Sequence, residues 1–162
     1  MKIKRKLLIS NIVCTILFLL PVKELNLLNQ NYSTLSLTTR GYLYDLFLGI
    51  IIGLLLYYEN KLIHNKYAIL MPISLLVGVI IPHHIPYNLQ GNLHLLFAYI
   101  GFFGLLTLTY LISFNNKKCR NLLTISLVVS ILIYIRCGMV NTLSEIIVML
   151  TIMFINLYLN YN

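Results

Sequence analysis

Acidic side chains are nearly missing from this chain: Asp and Glu number 4 in 162 residues, against 12 Lys and Arg. Charged residues of both signs make up only 10%, where a soluble domain carries about a quarter. That shortage excludes an ordinary water-soluble domain. Tryptophan is absent, and tyrosine, with 12 residues, takes its place. Tyr42, Tyr44, Tyr57, Tyr58, Tyr67, Tyr87 and Tyr158 stand near the ends of apolar runs, as anchors at a membrane interface do. Cysteine is scarce as well. Cys14, Cys119 and Cys137 show no metal or redox spacing, and three thiols cannot all pair with one another. They read as ordinary residues of apolar helices and helix ends. No phosphate loop, dinucleotide fingerprint or haem motif occurs.

What is present is apolar. Hydrophobic residues make up 59% of the chain, which places it among integral membrane proteins of the all-α, multi-pass class. The net charge of +8 would suggest nucleic acid in a soluble protein. In a membrane protein it reflects lysine and arginine collecting in cytoplasmic loops, so the expected partners are the bilayer and a lipid or membrane protein, not nucleic acid. The pattern predicts one helical domain over residues 1–162, with helices at about 7–22, 42–58, 67–82, 93–114, 121–135 and 139–158. The basic stretch 2–6 and the apolar run after it resemble a signal peptide. No small-x-small cleavage site follows, and an uncleaved first helix is the expectation. The polar segment 23–40, rich in Ser, Thr and Asn, is the longest loop.

Charge sets the orientation. With the N-terminus inside, cytoplasmic segments hold Lys2, Lys4, Arg5, Lys6, Lys61, Lys66, Lys117, Lys118 and Arg120, while external ones hold Lys23, Arg40 and Arg136. This excess places both termini in the cytoplasm, and the plasma membrane is the expected location.

Orientation and depth together single out a constellation. Asp45, His94 and Glu145 fall in the first two turns of the second, fourth and sixth helices, all of which start outside. At 1.5 Å per residue they sit within about 10 Å of the outer boundary. Ionisable groups within membrane spans are expensive and point to function. His83, His84, Arg136 and Asn141 share that side, so the expected outer pocket comprises Asp45, His94, Glu145, Asn141, Arg136, His83 and His84. Spacing gives further expectations. Asp45, Gly49 and Gly53 form a stripe whose GxxxG pair faces protein. His94, Ala98 and Gly101, with Gly104 nearby, form the packing face of the fourth helix. Asn141 and Glu145 share a face, and Pro72 kinks the third helix. Each polar group also has a structural use. Asp45 suits a helix N-terminus. Glu145 can pair with Arg136 or Asn141. His94 can be satisfied by a backbone carbonyl or by Glu145, and His83 and His84 can be solvated loop residues. No catalytic residue is assigned: Ser74 lies mid-helix with no base paired to it in sequence.

The order of Ser33 and Ser36 in the first external loop, His94 early in the fourth helix and the Ser144–Glu145 pair in the sixth resembles small six-helix membrane proteins of the DRAM/FRAG-like type and related bacterial families. The Trp that often follows the Ser-Glu pair there is Ile146 here. The resemblance implies a polytopic membrane protein of unsettled activity. Zinc hydrolases of the ceramidase and adiponectin-receptor type are similar in combining Ser, Asp and His, but their HxxxH pair has no counterpart here. The leading expectation is therefore a protein that binds a lipid, peptide or partner through the outer pocket without a cofactor, as a sensor, accessory or protective protein. One alternative is a metal-dependent lipid hydrolase with zinc held by Asp45, His94 and Glu145. The other is a small transporter.

Cysteines introduced at Asn60 and Asn116 test the orientation. Both should resist an impermeant thiol reagent applied to intact cells; labelling of either from outside would reverse the topology.

Overall fold

A computed structural model describes residues 2–37, 40–63, 69–81 and 88–161. Among them every regular element is helical. In chain order these are α1 (Lys2–Leu19), a 3-10 turn (Leu20–Glu24), a second 3-10 turn (Tyr32–Leu37), α2 (Gly41–Ile63), α3 (Leu70–Ile80), α4 (Leu89–Ile112), α5 (Lys117–Cys137) and α6 (Thr142–Tyr161). Three are long and apolar enough to cross a membrane: Leu89–Ile112, Lys117–Cys137 and Thr142–Tyr161. The apolar stretches Gly41–Leu55 and Leu70–Ile80 are shorter. Among the described residues helix length thus gives three candidate spans where the sequence led us to expect six.

Several boundaries differ from expectation, and local chemistry explains them. The residues Gln90, Gly91 and Asn92, expected in a turn, belong to α4. Asn88 accepts a hydrogen bond from the Gly91 N–H at 2.9 Å, the bond of a helix N-cap residue. The basic segment before the fifth helix is likewise its first turn. Asn116 caps α5 by accepting from the Cys119 N–H. A probe in place of Asn116 would remove that cap, so the exposed Lys117 is the better labelling position. α5 ends at Gly138, whose φ of 72° is left-handed and whose N–H reaches the Tyr134 carbonyl, an ending that favours glycine. Pro72 lies in the first turn of α3, where N–H groups have no helical partner to lose. The expected mid-helix kink therefore has no cause there.

The chain divides into two compact units, Met1–Tyr32 with Thr109–Asn162, and Ser33–Leu108. In the first, α6 packs against both α1 and α5. The buried residues Asn11, Cys14 and Phe18 on α1, and Cys119, Leu123 and Ser126 on α5, recur every three or four positions, as one face of a helix does. On α6 the buried set is Thr142 and Ser144 in the first turn, then Val148, Met149, Ile152, Met153, Ile155 and Asn156. Asn11 on α1 donates to the Met153 carbonyl at 3.2 Å. The cysteines carry no disulfide, and Cys14 and Cys119 are buried.

In the second unit α2 packs on α3, and α3 lies antiparallel against α4. Each step of three or four residues up α4 matches a step down α3: His94 meets Ile81, Ala98 meets Gly78, Gly101 meets Leu75 and Gly104 meets Met71. Ser74 adds a hydrogen bond to the Phe97 carbonyl at 3.1 Å. The expected packing face of α4 is thus confirmed. The expected role of Gly53 is not: it is exposed, with nothing within 4 Å of where a side chain would begin.

The two glycines separate by mutation. A Cβ on Gly101 would strike the Leu75 backbone, which cannot swing aside. Gly101→Ala should destabilise the protein in detergent by about 1–3 kcal/mol. Gly53→Ala should be neutral or stabilise by up to about 1 kcal/mol, because alanine favours helix. Thermal melts of the two variants check this.

Candidate functional site

The polar residues expected in one pocket fall into two groups, one in each unit. Asp45 and His94 belong to the Ser33–Leu108 unit; Glu145, Asn141 and Arg136 belong to the other. His83 and His84 lie outside the described residues.

His94 sits in the second turn of α4, only 6% exposed. Its Nδ1 lies 2.8 Å from the Ile81 carbonyl and its Nε2 lies 3.1 Å from Ser33 Oγ. A carbonyl can only accept, so Nδ1 carries a proton. In the neutral ring Nε2 is then the acceptor, and the Ser33 hydroxyl donates to it. Asp45, part-buried one turn into α2, interacts with His94 electrostatically. Ser33 stands in the 3-10 turn Tyr32–Leu37 and is itself part-exposed. The site is therefore a buried imidazole, oriented by a backbone carbonyl, with a part-exposed hydroxyl and a carboxylate for company.

In the other group Asn141 has a capping role. Asn141 is the N-cap of α6, accepting from the Ser144 N–H at 3.1 Å, while Ser144 Oγ accepts in return from the Asn141 N–H at 3.3 Å. This is a capping box with serine in the place usual for Glu or Gln. The remaining N–H groups of the first turn are also met. Thr142 donates to the Gln30 carbonyl at 2.7 Å, Leu143 to that of Leu27 at 3.0 Å and Glu145 to that of Asn141 at 3.1 Å. The Thr142 hydroxyl also reaches Gln30. Glu145 accepts from the Tyr32 N–H at 2.7 Å through Oε2. That amide is its side chain's partner, where Arg136 or Asn141 was expected; Arg136 is exposed in the last turn of α5.

Tyr32 completes the arrangement. Its hydroxyl donates to the Phe18 carbonyl at 2.6 Å, and its ring stacks on Phe18 with centroids 4.7 Å apart. Burial, and after it the Glu145 carboxylate, pushes the Tyr32 phenol above its usual range. It stays a neutral donor. Tyr32 is thereby pinned to α1 and α6. Among the described residues no three His, Cys, Asp or Glu side chains gather to hold a metal ion.

No family model, curated protein or solved structure matches the chain.

Sequence reasoning singled out His94 and Asp45 and anticipated a backbone carbonyl as a partner of His94, which Ile81 supplies, but it did not anticipate Ser33 as the other. Ser33 is 61 residues away from His94, and no local spacing links the two. The capping box, by contrast, was present as Asn141 and Ser144 three positions apart. It was masked by placing the helix start at residue 139.

The capping account makes a prediction for Glu145. Gln in its place can still accept from the Tyr32 N–H and removes a charge from apolar surroundings. Glu145→Gln should therefore melt within about 1 kcal/mol of the parent. Glu145→Ala leaves that N–H unmet and should cost about 1–3 kcal/mol.

Proposed function

We propose that this chain is a multi-pass membrane protein that binds an amphiphilic lipid at the Ser33–Asp45–His94 site, at the outer face of the plasma membrane. The observation that carries the reading is the buried His94 of a long apolar helix, bonded to the part-exposed Ser33 and within electrostatic reach of the part-exposed Asp45. Polar groups of this kind in an apolar span are costly and mark binding sites. The same elements present exposed apolar side chains: Leu37 at the end of the site's turn, Tyr42 and Leu46 on α2, and Leu89 and Leu93 on α4. A ligand with a polar head and an apolar tail suits both features. Outward-facing apolar residues elsewhere, such as Phe103 at 62% and Ile135 at 69% exposure, support contact with lipid. Six crossings with both termini inside agree with the distribution of lysine and arginine.

Binding can be read as thermal stabilisation in detergent. The chain is basic, so phosphatidylglycerol is the probe, with phosphatidylcholine as the zwitterionic comparison. At about a hundred times its dissociation constant a ligand adds about 2.7 kcal/mol, a rise of about 5–10 °C for a chain of this size. That increment should vanish in His94→Ala and in Asp45→Asn, whatever their starting melting temperatures. No increment with either lipid would overturn the reading.

A further inference from the structure

We infer that Ser33 is an acyl-accepting nucleophile with His94 as its general base, and that the substrate is a carboxylic ester of a lipid. For its substrate class the inference rests on the lipid-binding reading above.

The geometry meets the requirements of an activated hydroxyl in order. Nucleophile and base lie within hydrogen-bond reach, at 3.1 Å between Ser33 Oγ and His94 Nε2, inside the range that proton transfer requires. The base is oriented by a third group, since the Nδ1–H bond to the Ile81 carbonyl at 2.8 Å leaves Nε2 as the proton acceptor in the neutral ring. Burial of the imidazole limits its competition with water. The hydroxyl is part-exposed, so a substrate can approach it. Two elements hold the pair rigid from one side: the α3–α4 contact sets Ile81 against His94, because Gly101 and Gly78 let the two backbones touch.

The reaction balances with water as the only co-reactant. Ser33 Oγ bonds to the ester carbonyl carbon as its proton passes to His94 Nε2. The bond from that carbon to the alcohol oxygen then breaks, and the leaving alkoxide takes the proton from Nε2. Water attacks the acyl-serine and gives a proton to Nε2, which returns it to Ser33 Oγ as the fatty acid leaves. One ester and one water become one acid and one alcohol.

The test uses the full chain in detergent micelles and an alkyl fluorophosphonate, with the modified residue mapped by mass spectrometry. Ser33 should be labelled in the parent, and the rate should fall by about 10²–10⁴-fold in His94→Gln, the size of a general-base contribution. A Ser33 that stays unlabelled in the folded parent, or labels equally fast in His94→Gln, overturns the inference. S33C offers a second measurement with an internal reference. A histidine-paired thiol is more reactive than an isolated one, so iodoacetamide should alkylate the introduced thiol about tenfold or more faster than the part-exposed Cys137; equal rates would count against the base. Lipid stabilisation with an inert Ser33 would overturn this inference and leave the binding reading intact. A labelled Ser33 without lipid stabilisation would keep the nucleophile and overturn the lipid.

Discussion

A polar group inside an apolar helix needs a partner, and the organisation of this protein follows from that requirement. Leaving a buried donor or acceptor unmet costs about 1–3 kcal/mol, and water is not at hand in apolar surroundings to help. His94 satisfies the requirement with the Ile81 carbonyl and Ser33. Asn11 satisfies it with the Met153 carbonyl, and Ser74 with that of Phe97. Each of these bonds joins two elements, so each also fixes how those elements meet. Among the described residues the exceptions are the Nδ2 of Asn141 and the side chain of Asn156. Asn156 is wholly buried on α6, neither polar atom of its side chain has a partner, and nothing in the structure explains it.

The close approach of α3 and α4 is the second constraint. Helix axes come nearest where side chains are smallest, and Gly78, Gly101 and Gly104 provide that here. The approach brings the carbonyl of Ile81, just past the end of α3 where it has no helical acceptor role, within reach of His94. A carbonyl freed at a helix terminus thus orients an imidazole, and the orientation is what turns Nε2 toward Ser33. Packing geometry and site chemistry are in this sense one feature.

In the other unit the same economy serves stability. The first turn of α6 would expose four unmet N–H groups, and the loop carbonyls of Leu27 and Gln30 meet two of them. Glu145 returns a bond to the Tyr32 N–H, and Tyr32 locks onto Phe18. A carboxylate that looked like a site residue from its rarity is placed as a loop anchor. Rarity in an apolar chain identifies residues that need an explanation, and a cap is as good an explanation as a ligand.

Composition by itself pointed to the class of this protein: with 10% charged residues and long apolar runs the pattern favoured apolar-faced helices, which satisfy their backbone groups within the segment. Periodicity determined the face of α4 that packs, since His94, Ala98 and Gly101 share it whatever their neighbours are. Helix ends were less legible, because Asn88, Asn116 and Asn141 act through single side-chain bonds that apolar patterns do not register. Only the tertiary structure decided the partners. Whether His94 met Glu145, Ser33 or a backbone carbonyl depended on which chain segments 13 and 61 residues distant return to it. That return is set by the glycine contacts between α3 and α4 and by the turn carrying Ser33, and no spacing along the sequence encodes it.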